Sequence, residues 1–360
     1  MNYPPIRLAT ALAALCLASA SVRAGDGNKE PLTIPEDGFL TGVEKGFPSL
    51  SFYFDNDLFA GSDSQYTNGA RLAWLSSNYR RQHLPPNVLS VADALRLYPG
   101  EGWRLNYGFS LTQLIYTPED TGALELIEDD RPYAGWLGLG FSIHAKKQSV
   151  VHSLELNLGV VGPYSFAEDA QNGVHSARGI PEARGWDNQL SNEFVANLFY
   201  STKWRYTPDL LHHGKFRADI IPRIGAAAGN LNTSAEAGLT IRIGYNPPND
   251  FASQRLSPTA YNQQFFIEAD GTAVSNRDLG IYLFAGIGGR AVARDIFLDG
   301  NTFAHSHSVD KENFVGEAEV GLGVRWGRFK VSYSHLVVTE QFKAQEDVQY
   351  IGSIAASYAF

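Results

Sequence analysis

Apolar and polar residues alternate with a period of two along many segments of this chain, a pattern typical of β-strands. In residues 314–326, Val320 and Leu322 share one face, whereas Glu317 and Glu319 share the other. At about 3.3 Å per residue, such a segment is long for a soluble sandwich and suits a tilted strand that crosses a bilayer. The pattern therefore favours a strand with lipid on one side and a polar lumen on the other.

The same alternation recurs often enough to predict the whole fold. An even number of strands is typical of a single-chain barrel with both ends in the periplasm. The predicted strands are residues 50–57, 67–76, 104–116, 134–145, 149–161, 193–205, 215–228, 234–245, 279–292, 314–326, 329–341 and 347–360. We assign a further apolar run, 263–269, to a connection. The fold class predicted is all-β: a transmembrane antiparallel up-and-down β-barrel of 12 strands, with a short helix in an extracellular loop.

The first 24 residues have the parts of a secretory signal peptide. Arg7 precedes an apolar stretch over 8–20, and Val22, Arg23 and Ala24 form a cleavage site of the A-x-A type. We expect residues 1–24 to be removed, 25–47 to form an N-terminal periplasmic segment, and 48–360 to form the barrel. No later stretch approaches the roughly 18 to 20 apolar residues of a spanning helix, so a helical membrane protein is excluded.

Composition removes several kinds of chemistry. The formal charge is 29 − 38 = −9, and cleavage after residue 24 removes two cations to leave 27 − 38 = −11. This acidity argues against nucleic acid as a partner. Cys16 and Met1 are the only sulfur-containing residues, and both precede the cleavage site. The mature chain therefore has no thiol nucleophile and no disulfide, and no G-x-S-x-G motif supports a serine hydrolase.

Strand parity assigns the connections. With both termini in the periplasm, segments 58–66, 117–133 and 162–192 lie outside the cell, and they carry the most unusual polar sequence. Segments 77–103 and 246–278 become long periplasmic connections. The first contains apolar residues at helical spacing over 88–97, which predicts a short helix under the barrel.

The first candidate for chemistry lies where the first strand meets the outer rim. Asp55, Asn56 and Asp57 supply hard oxygen ligands of the kind that Ca²⁺ takes. The same residue types also favour turns, which is the simpler interpretation. Thr67 and Asn68 follow ten residues later, in the sequence Tyr-Thr-Asn-Gly.

The second candidate is the segment that leads into the fourth strand. Tyr133 and Trp136 fit the aromatic girdle at a membrane interface, and Arg131 between acidic neighbours fits a structural salt bridge. We predict no catalytic role for these residues. His305 and His307 form an H-x-H pair in another outer loop, which lacks an obvious third metal ligand nearby.

The third candidate lies in the segment after Pro163. Residues 166–178 predict a short helix on which Gln171 and His175, four residues apart, share a face. Such a helix lying over the rim would direct both side chains at the wall near Asn56 and Asp57. A histidine in an exposed loop can also be merely solvated, and the pattern does not decide between these interpretations.

Together these blocks resemble the lipid A 3′-O-deacylase family, the LpxR-like proteins. The resemblance covers about 48–360 and rests on Asn56-Asp57, the segments 66–69 and 130–136, Gln171-Asn172-x-x-His175, and the segment 185–193. It implies a twelve-stranded outer-membrane barrel that removes the 3′-linked acyloxyacyl group of lipid A in a Ca²⁺-dependent ester hydrolysis. The active site would face the outer leaflet of the bacterial outer membrane.

The resemblance also implies roles for single residues. His175 is the general base, and Asn56 and Asp57 belong to the calcium-binding catalytic site. The resemblance also places two further residues among the catalytic ones: Thr67, which lies beside that site, and Gln171, the neighbour of His175 on the loop helix. Members of the family can carry a basic residue in the second outer loop, whereas segment 117–130 here is acidic and has none. This departure bears on how the lipid A phosphates are engaged.

The implied chemistry is consistent with the residues available. An imidazole can take the proton from an attacking water near neutral pH, and Ca²⁺ can supply positive charge where the oxyanion forms.

Two alternatives stay open: an outer-membrane phospholipase, and a non-catalytic porin or structural barrel. The C-terminal Phe360 resembles the assembly signal of outer-membrane proteins, so the barrel-assembly machinery is an expected partner during biogenesis, beside lipopolysaccharide as substrate.

Overall fold

The computed structural model of the chain shows a closed antiparallel barrel in which sequence neighbours pair around the ring and the first strand pairs with the last. It describes residues 48–56, 65–80, 83–94, 102–147, 149–208, 213–251 and 279–360. The expected signal peptide, the segment 25–47 and the run 263–269 lie outside these residues. No helix within them is long and apolar enough to cross a membrane.

Twelve strands and three α-helices lie in the described part of the chain. The strands are β1 (Ser49–Asn56), β2 (Gln65–Leu75), β3 (Arg104–Thr117), β4 (Ala134–Lys147), β5 (Val150–Val161), β6 (Glu193–Trp204), β7 (Phe216–Gly229), β8 (Asn232–Tyr245), β9 (Leu279–Asp295), β10 (Phe314–Trp326), β11 (Phe329–Val338) and β12 (Gln349–Ala359). The helices are α1 (Pro86–Ala94), α2 (Ala167–Arg178) and α3 (Ile296–Asp299). The predicted fold class and all twelve predicted strands are confirmed.

The period of two separates the barrel's two surfaces. In β1, Leu50 and Phe52 are exposed on the outer surface, whereas Ser51 and Tyr53 are buried on the lumen side. This arrangement puts apolar side chains where a bilayer would contact them. We call the rim that holds Ser49 the lower rim, and the opposite rim, where the odd-numbered strands end, the upper rim.

Ion pairs fill the lumen. Arg71 of β2 donates to Glu155 of β5 over 2.9 Å, and both side chains are buried. Arg223 of β7 bonds in the same way to Glu317 of β10. Each pair joins strands three positions apart in the ring, so these side chains reach across the interior rather than along the wall. An occupied interior does not favour the porin alternative.

At the lower rim, the start of the β8–β9 connection enters the barrel. Asp250 bonds to Arg242 of β8 over 2.5 Å and to Lys330 of β11. Phe251 packs against Leu75 of β2 and Val151 of β5. This short segment therefore contacts four strands spread around the ring, and it lies across the lumen at this end.

Charge pairing controls the ionisation of Asp250. Burial, the largest single influence, acts to raise the pKa of this carboxyl group, but Lys330 and Arg242 together outweigh it and hold the pKa well below the ordinary value. Asp250 is therefore a carboxylate at neutral pH and fixes the segment inside the barrel.

Candidate active site

A row of four residues crosses the outer surface near the upper rim. Asn56 of β1 pairs with Asn68 of β2, Asn68 with Ile115 of β3, and Ile115 with Gly135 of β4. In β1 and β4 the alternation puts the row on the same side as the exposed Phe52 of β1. The row is therefore part of the outer surface of the barrel.

Helix α2 lies on this row. A Cβ atom added to Gly135 would come within 2.1 Å of both Ala167 Cβ and Ser165 Oγ, so only glycine allows the helix this close. Ile115 packs against Ala167 in one buried cluster. The Nε2 atom of Gln113 donates to the carbonyl of Ser165 over 2.7 Å. The predicted helix over 166–178 is thus confirmed, and it is seated on the outer surface of β3 and β4.

His175 lies on the buried face of α2, with only 3% of its surface exposed. Its Nδ1 is 2.7 Å from the carbonyl oxygen of Pro181. A carbonyl oxygen can only accept, so Nδ1 carries the hydrogen and Nε2 of the neutral ring keeps its lone pair. Gly179 turns the chain back at the helix end with φ 68°, and its N–H donates to the carbonyl of His175. This turn brings Pro181 to the imidazole.

Gln171 lies one turn before His175 and is also buried. Its Oε1 accepts a hydrogen bond of 3.0 Å from Nε1 of Trp186. Trp186 in turn packs against Tyr133, with ring centroids 4.9 Å apart. The segment 185–193 that follows α2 therefore contacts the same face of the helix that carries the candidate base.

Contacts between two loops hold this arrangement. Tyr133 donates through its hydroxyl to the carbonyl of Thr121, and the N–H of Arg184 donates to the same carbonyl. Burial raises the pKa of Tyr133 to about 12, so the hydroxyl remains a donor. Asn188 donates to the carbonyl of Leu124 over 2.9 Å. The loop 118–133 is therefore joined by hydrogen bonds to the segment that follows α2 in the loop 162–192, and this holds the helix in place.

The proposed calcium ligands are only partly brought together. Asp55 points into the lumen, where its Oδ1 accepts a hydrogen bond from Ser353, so it lies on the opposite side of the wall from Asn56. Asn56 faces outward beside Asn68, which places two carboxamide groups side by side. Asp57 lies outside the described residues. Among those residues, no group of three or more acidic, histidine or cysteine side chains could hold a metal ion.

Thr67 lies at an irregular position of the wall. The pairing of β2 with β3 shifts register between Tyr66 and Asn68, so Thr67 is the extra residue there. Tyr66 is buried in the barrel core against Tyr116, whereas Asn68 belongs to the outer row. Thr67 therefore directly precedes Asn68 of the outer row, on the strand that pairs with the strand of Asn56.

The structure corrects the interpretation of the second candidate. Trp136 is fully buried in the main core cluster and Tyr133 packs on Trp186, so neither belongs to an aromatic girdle. The outward position at this height is Gly135, and α2 covers it. Arg131 lies 5.5 Å above the rings of both Tyr116 and Phe342, and burial lowers its pKa.

One member of the histidine pair has a structural contact. The Nε2 atom of His307 donates to the carbonyl of Asp130 over 2.7 Å, which ties the loop after α3 to the loop before β4.

Sequence reasoning missed the roles of Gly135, Ser165 and Trp186. Gly135 and Trp186 belong to the motif blocks, but their roles depend on contacts between distant segments.

Comparisons with known proteins agree with this architecture. The family model described as outer membrane protein LpxR matches residues 10–360. A solved structure of LpxR from Salmonella typhimurium superposes with a TM-score of 0.68 at 19% identity, covering 87% of this chain and 100% of that chain. At this identity the likeness shows the shared barrel fold.

Other barrels are less similar. The β domain of the Bordetella autotransporter BrkA has a TM-score of 0.42 at 9% identity, covering 88% of this chain and 100% of that chain. The translocator domain of NalP from Neisseria meningitidis has 0.40 at 8%, covering 98% and 96%. No curated protein matches. Because the family model spans nearly the whole sequence, this chain belongs to the LpxR family of outer-membrane proteins.

Proposed function

We propose that this chain is a Ca²⁺-dependent esterase that removes the 3′-linked acyloxyacyl group of lipid A. The observation that carries the proposal is the His175–Pro181 hydrogen bond, which leaves a basic Nε2 on the buried face of a helix. That helix lies against the lipid-facing wall rather than in the lumen. Family membership supports the substrate, since the motif blocks resemble lipid A deacylases.

His175 would act on water. Its Nε2 takes a proton as the water oxygen attacks the ester carbonyl, and a tetrahedral oxyanion forms. When the carbon–oxygen bond to the sugar breaks, Nε2 returns the proton to the departing sugar oxygen. The products are the free acyloxyacyl carboxylic acid and a 3′-hydroxyl group on the sugar. General base catalysis of this kind contributes about 10²- to 10⁴-fold to a rate.

The residues present fit a calcium ion in donor chemistry. Asn56 and Asp57 would hold it, because carboxamide and carboxylate oxygens are ligands that Ca²⁺ prefers. The adjacent Asn68 adds a second carboxamide at the same place on the wall. When bound, the ion would supply positive charge that stabilises a developing oxyanion. Thr67 and Gln171 would border the same site.

Dimensions support a site shared by the helix and the wall. His175 lies eight residues beyond Ala167, about 12 Å along the helix axis. Asn56 lies two strands from Ile115, about 10 Å across the sheet. A helix seated on Ile115 and Gly135 is therefore long enough to bring its far end to the region of Asn56.

The proposed orientation follows from the substrate. Lipid A occupies the outer leaflet, so the upper rim with α2 would face outward and the lower rim the periplasm. Lipopolysaccharide would then reach the site along the outer wall without entering the lumen. During biogenesis, the barrel-assembly machinery would recognise the final strand with Phe360, which is half exposed.

The proposal is tested with purified protein on two substrates. In the presence of Ca²⁺ we expect release of an acyloxyacyl chain from lipid A and little hydrolysis of glycerophospholipid vesicles. Chelation should abolish the release. Faster hydrolysis of glycerophospholipid than of lipid A would support the phospholipase alternative, and steady conductance in planar bilayers without hydrolysis would support a porin.

A further inference from the structure

The orientation of the Gln171 carboxamide is fixed by its neighbour. The indole N–H of Trp186 can only donate, so the atom of Gln171 that it contacts is the oxygen Oε1. The amide nitrogen Nε2 must then point away from Trp186, with its two hydrogens available to another acceptor. Only 1% of the surface of Gln171 is exposed.

This Nε2 has no hydrogen-bond partner within the described part of the chain. Buried polar groups without partners are uncommon in folded proteins, because burial removes water without replacing its hydrogen bonds. A donor held in this way is suited to an acceptor that arrives with a ligand.

The donor is close to the proposed base. Gln171 and His175 are four residues apart on one helix and belong to its buried face, so their side chains are neighbours. An ester carbonyl that is attacked by a water molecule activated by His175 would therefore lie beside Nε2 of Gln171. The carbonyl oxygen gains negative charge in that step, and a fixed N–H donor stabilises it more than it stabilises the neutral ester.

We propose that the Nε2 atom of Gln171 donates a hydrogen bond to the oxyanion, and that Trp186 is a positioning residue that fixes this amide. The inference rests on the proposed esterase function and deepens it. It assigns the chain a protein donor for the oxyanion in addition to any metal ion. A purely structural Gln171 would serve only as the acceptor for Trp186.

Two substitutions at Gln171 separate these roles. Gln171→Glu keeps an oxygen for Trp186 but removes both N–H donors, whereas Gln171→Met removes the acceptor as well. We expect both variants to lower kcat by about 100-fold with little change in KM, as for the loss of one oxyanion donor. A structural role predicts instead that Gln171→Glu stays active and that only Gln171→Met loses activity.

Substitution of Trp186 tests the positioning role. Trp186→Phe keeps a ring against Tyr133 but loses the N–H, which frees the amide to rotate. We expect kcat to fall by about tenfold, and we expect the fall to be absent in the Gln171→Glu background because coupled residues are not additive. Trp103→Phe, at a buried tryptophan near the lower rim, is the matched control and should leave kcat unchanged.

All variants are measured as purified full-length protein on lipid A, with heat-dependent gel mobility as the check of barrel assembly. A kcat for Gln171→Glu within about twofold of wild type would overturn the inference. If His175→Ala is inactive at the same time, the proposed function still stands. Wild-type activity in His175→Ala would instead overturn the proposed function on which the inference depends.

Discussion

The imidazole of His175 and the carbonyl of Pro181 are joined by a hydrogen bond of 2.7 Å that spans the end of α2. This bond selects the tautomer with the hydrogen on Nδ1 and so makes Nε2 the basic atom. It depends on a backbone turn at Gly179, where φ is 68°. The candidate base is thus oriented by the way its helix ends rather than by a second side chain.

Substitution of the turn residue tests this dependence. In Gly179→Ala, the left-handed backbone conformation costs about 1 kcal/mol, although no atom lies within 4 Å of the new Cβ. We expect displacement of the Pro181 carbonyl and a fall in kcat of about tenfold on lipid A, as for a small misplacement of a catalytic group. Gly173→Ala, within α2 and equally open, is the control and should retain full activity.

The seat of α2 gives a second prediction. Gly135→Ala places a methyl group 2.1 Å from Ala167 Cβ, so the helix must move off the wall. We expect a loss of activity of about 100-fold, while heat-dependent gel mobility shows a normally assembled barrel. Gly289→Ala on β9, where the nearest atom is 3.7 Å away, should change neither property. Full activity in Gly135→Ala would show that the seat does not position the site.

The barrel could be predicted from the sequence because each strand carries its own alternation. The strand ends differ from the prediction in places: β9 continues to Asp295, three residues past the predicted end, since its pairing with β8 extends beyond an irregularity at Thr233. The alternation also indicates that the side chain of Trp136 faces the lumen. Leu137 and Leu139 face outward, so residue 136 falls on the lumen side.

The details of the site could not be predicted because they depend on contacts between loops. Parity places Asp55 and Asn56 on opposite faces, which the sequence indicates, but nothing in it shows that Trp186 fixes the amide of Gln171. The same holds for Ser165, which meets Gly135 and Gln113 from a different segment. The motif blocks identified His175 and its helix, whereas the structure identifies what holds them.

The lumen ion pairs give a prediction about stability. Arg71→Met leaves the buried Glu155 without its Arg71 partner, and breaking a buried pair in this way costs about 3 to 5 kcal/mol. The double variant Arg71→Met, Glu155→Leu removes both charges and should recover most of that loss. Urea unfolding in detergent micelles measures both free energies. Equal destabilisation of the single and double variants would contradict this assignment.

The segment at the lower rim gives a prediction about pH. The pKa of Asp250 is lowered in the folded barrel, so its contribution to stability is fully present above the unfolded-state pKa of about 4 and is lost as the pH falls below it. Asp250→Asn should destabilise the barrel at pH 7 by about 3 kcal/mol, since Lys330 loses its charged partner.

The same two proteins also test the direction in which this stabilisation changes with pH. The difference in unfolding free energy between wild type and Asp250→Asn should be constant from pH 7 to about pH 5 and should shrink towards lower pH. A difference that grows as the pH falls would show that Asp250 is not a paired carboxylate in the folded state.

The most direct test of the proposed deacylase function is mass spectrometry of lipid A from cells that express the wild-type protein or His175→Ala, with Ca²⁺ present. We expect the wild-type protein to remove the mass of one acyloxyacyl chain and His175→Ala to remove none, although both barrels assemble. The same loss of mass in both, or no loss with assembled wild-type protein, would contradict the proposal.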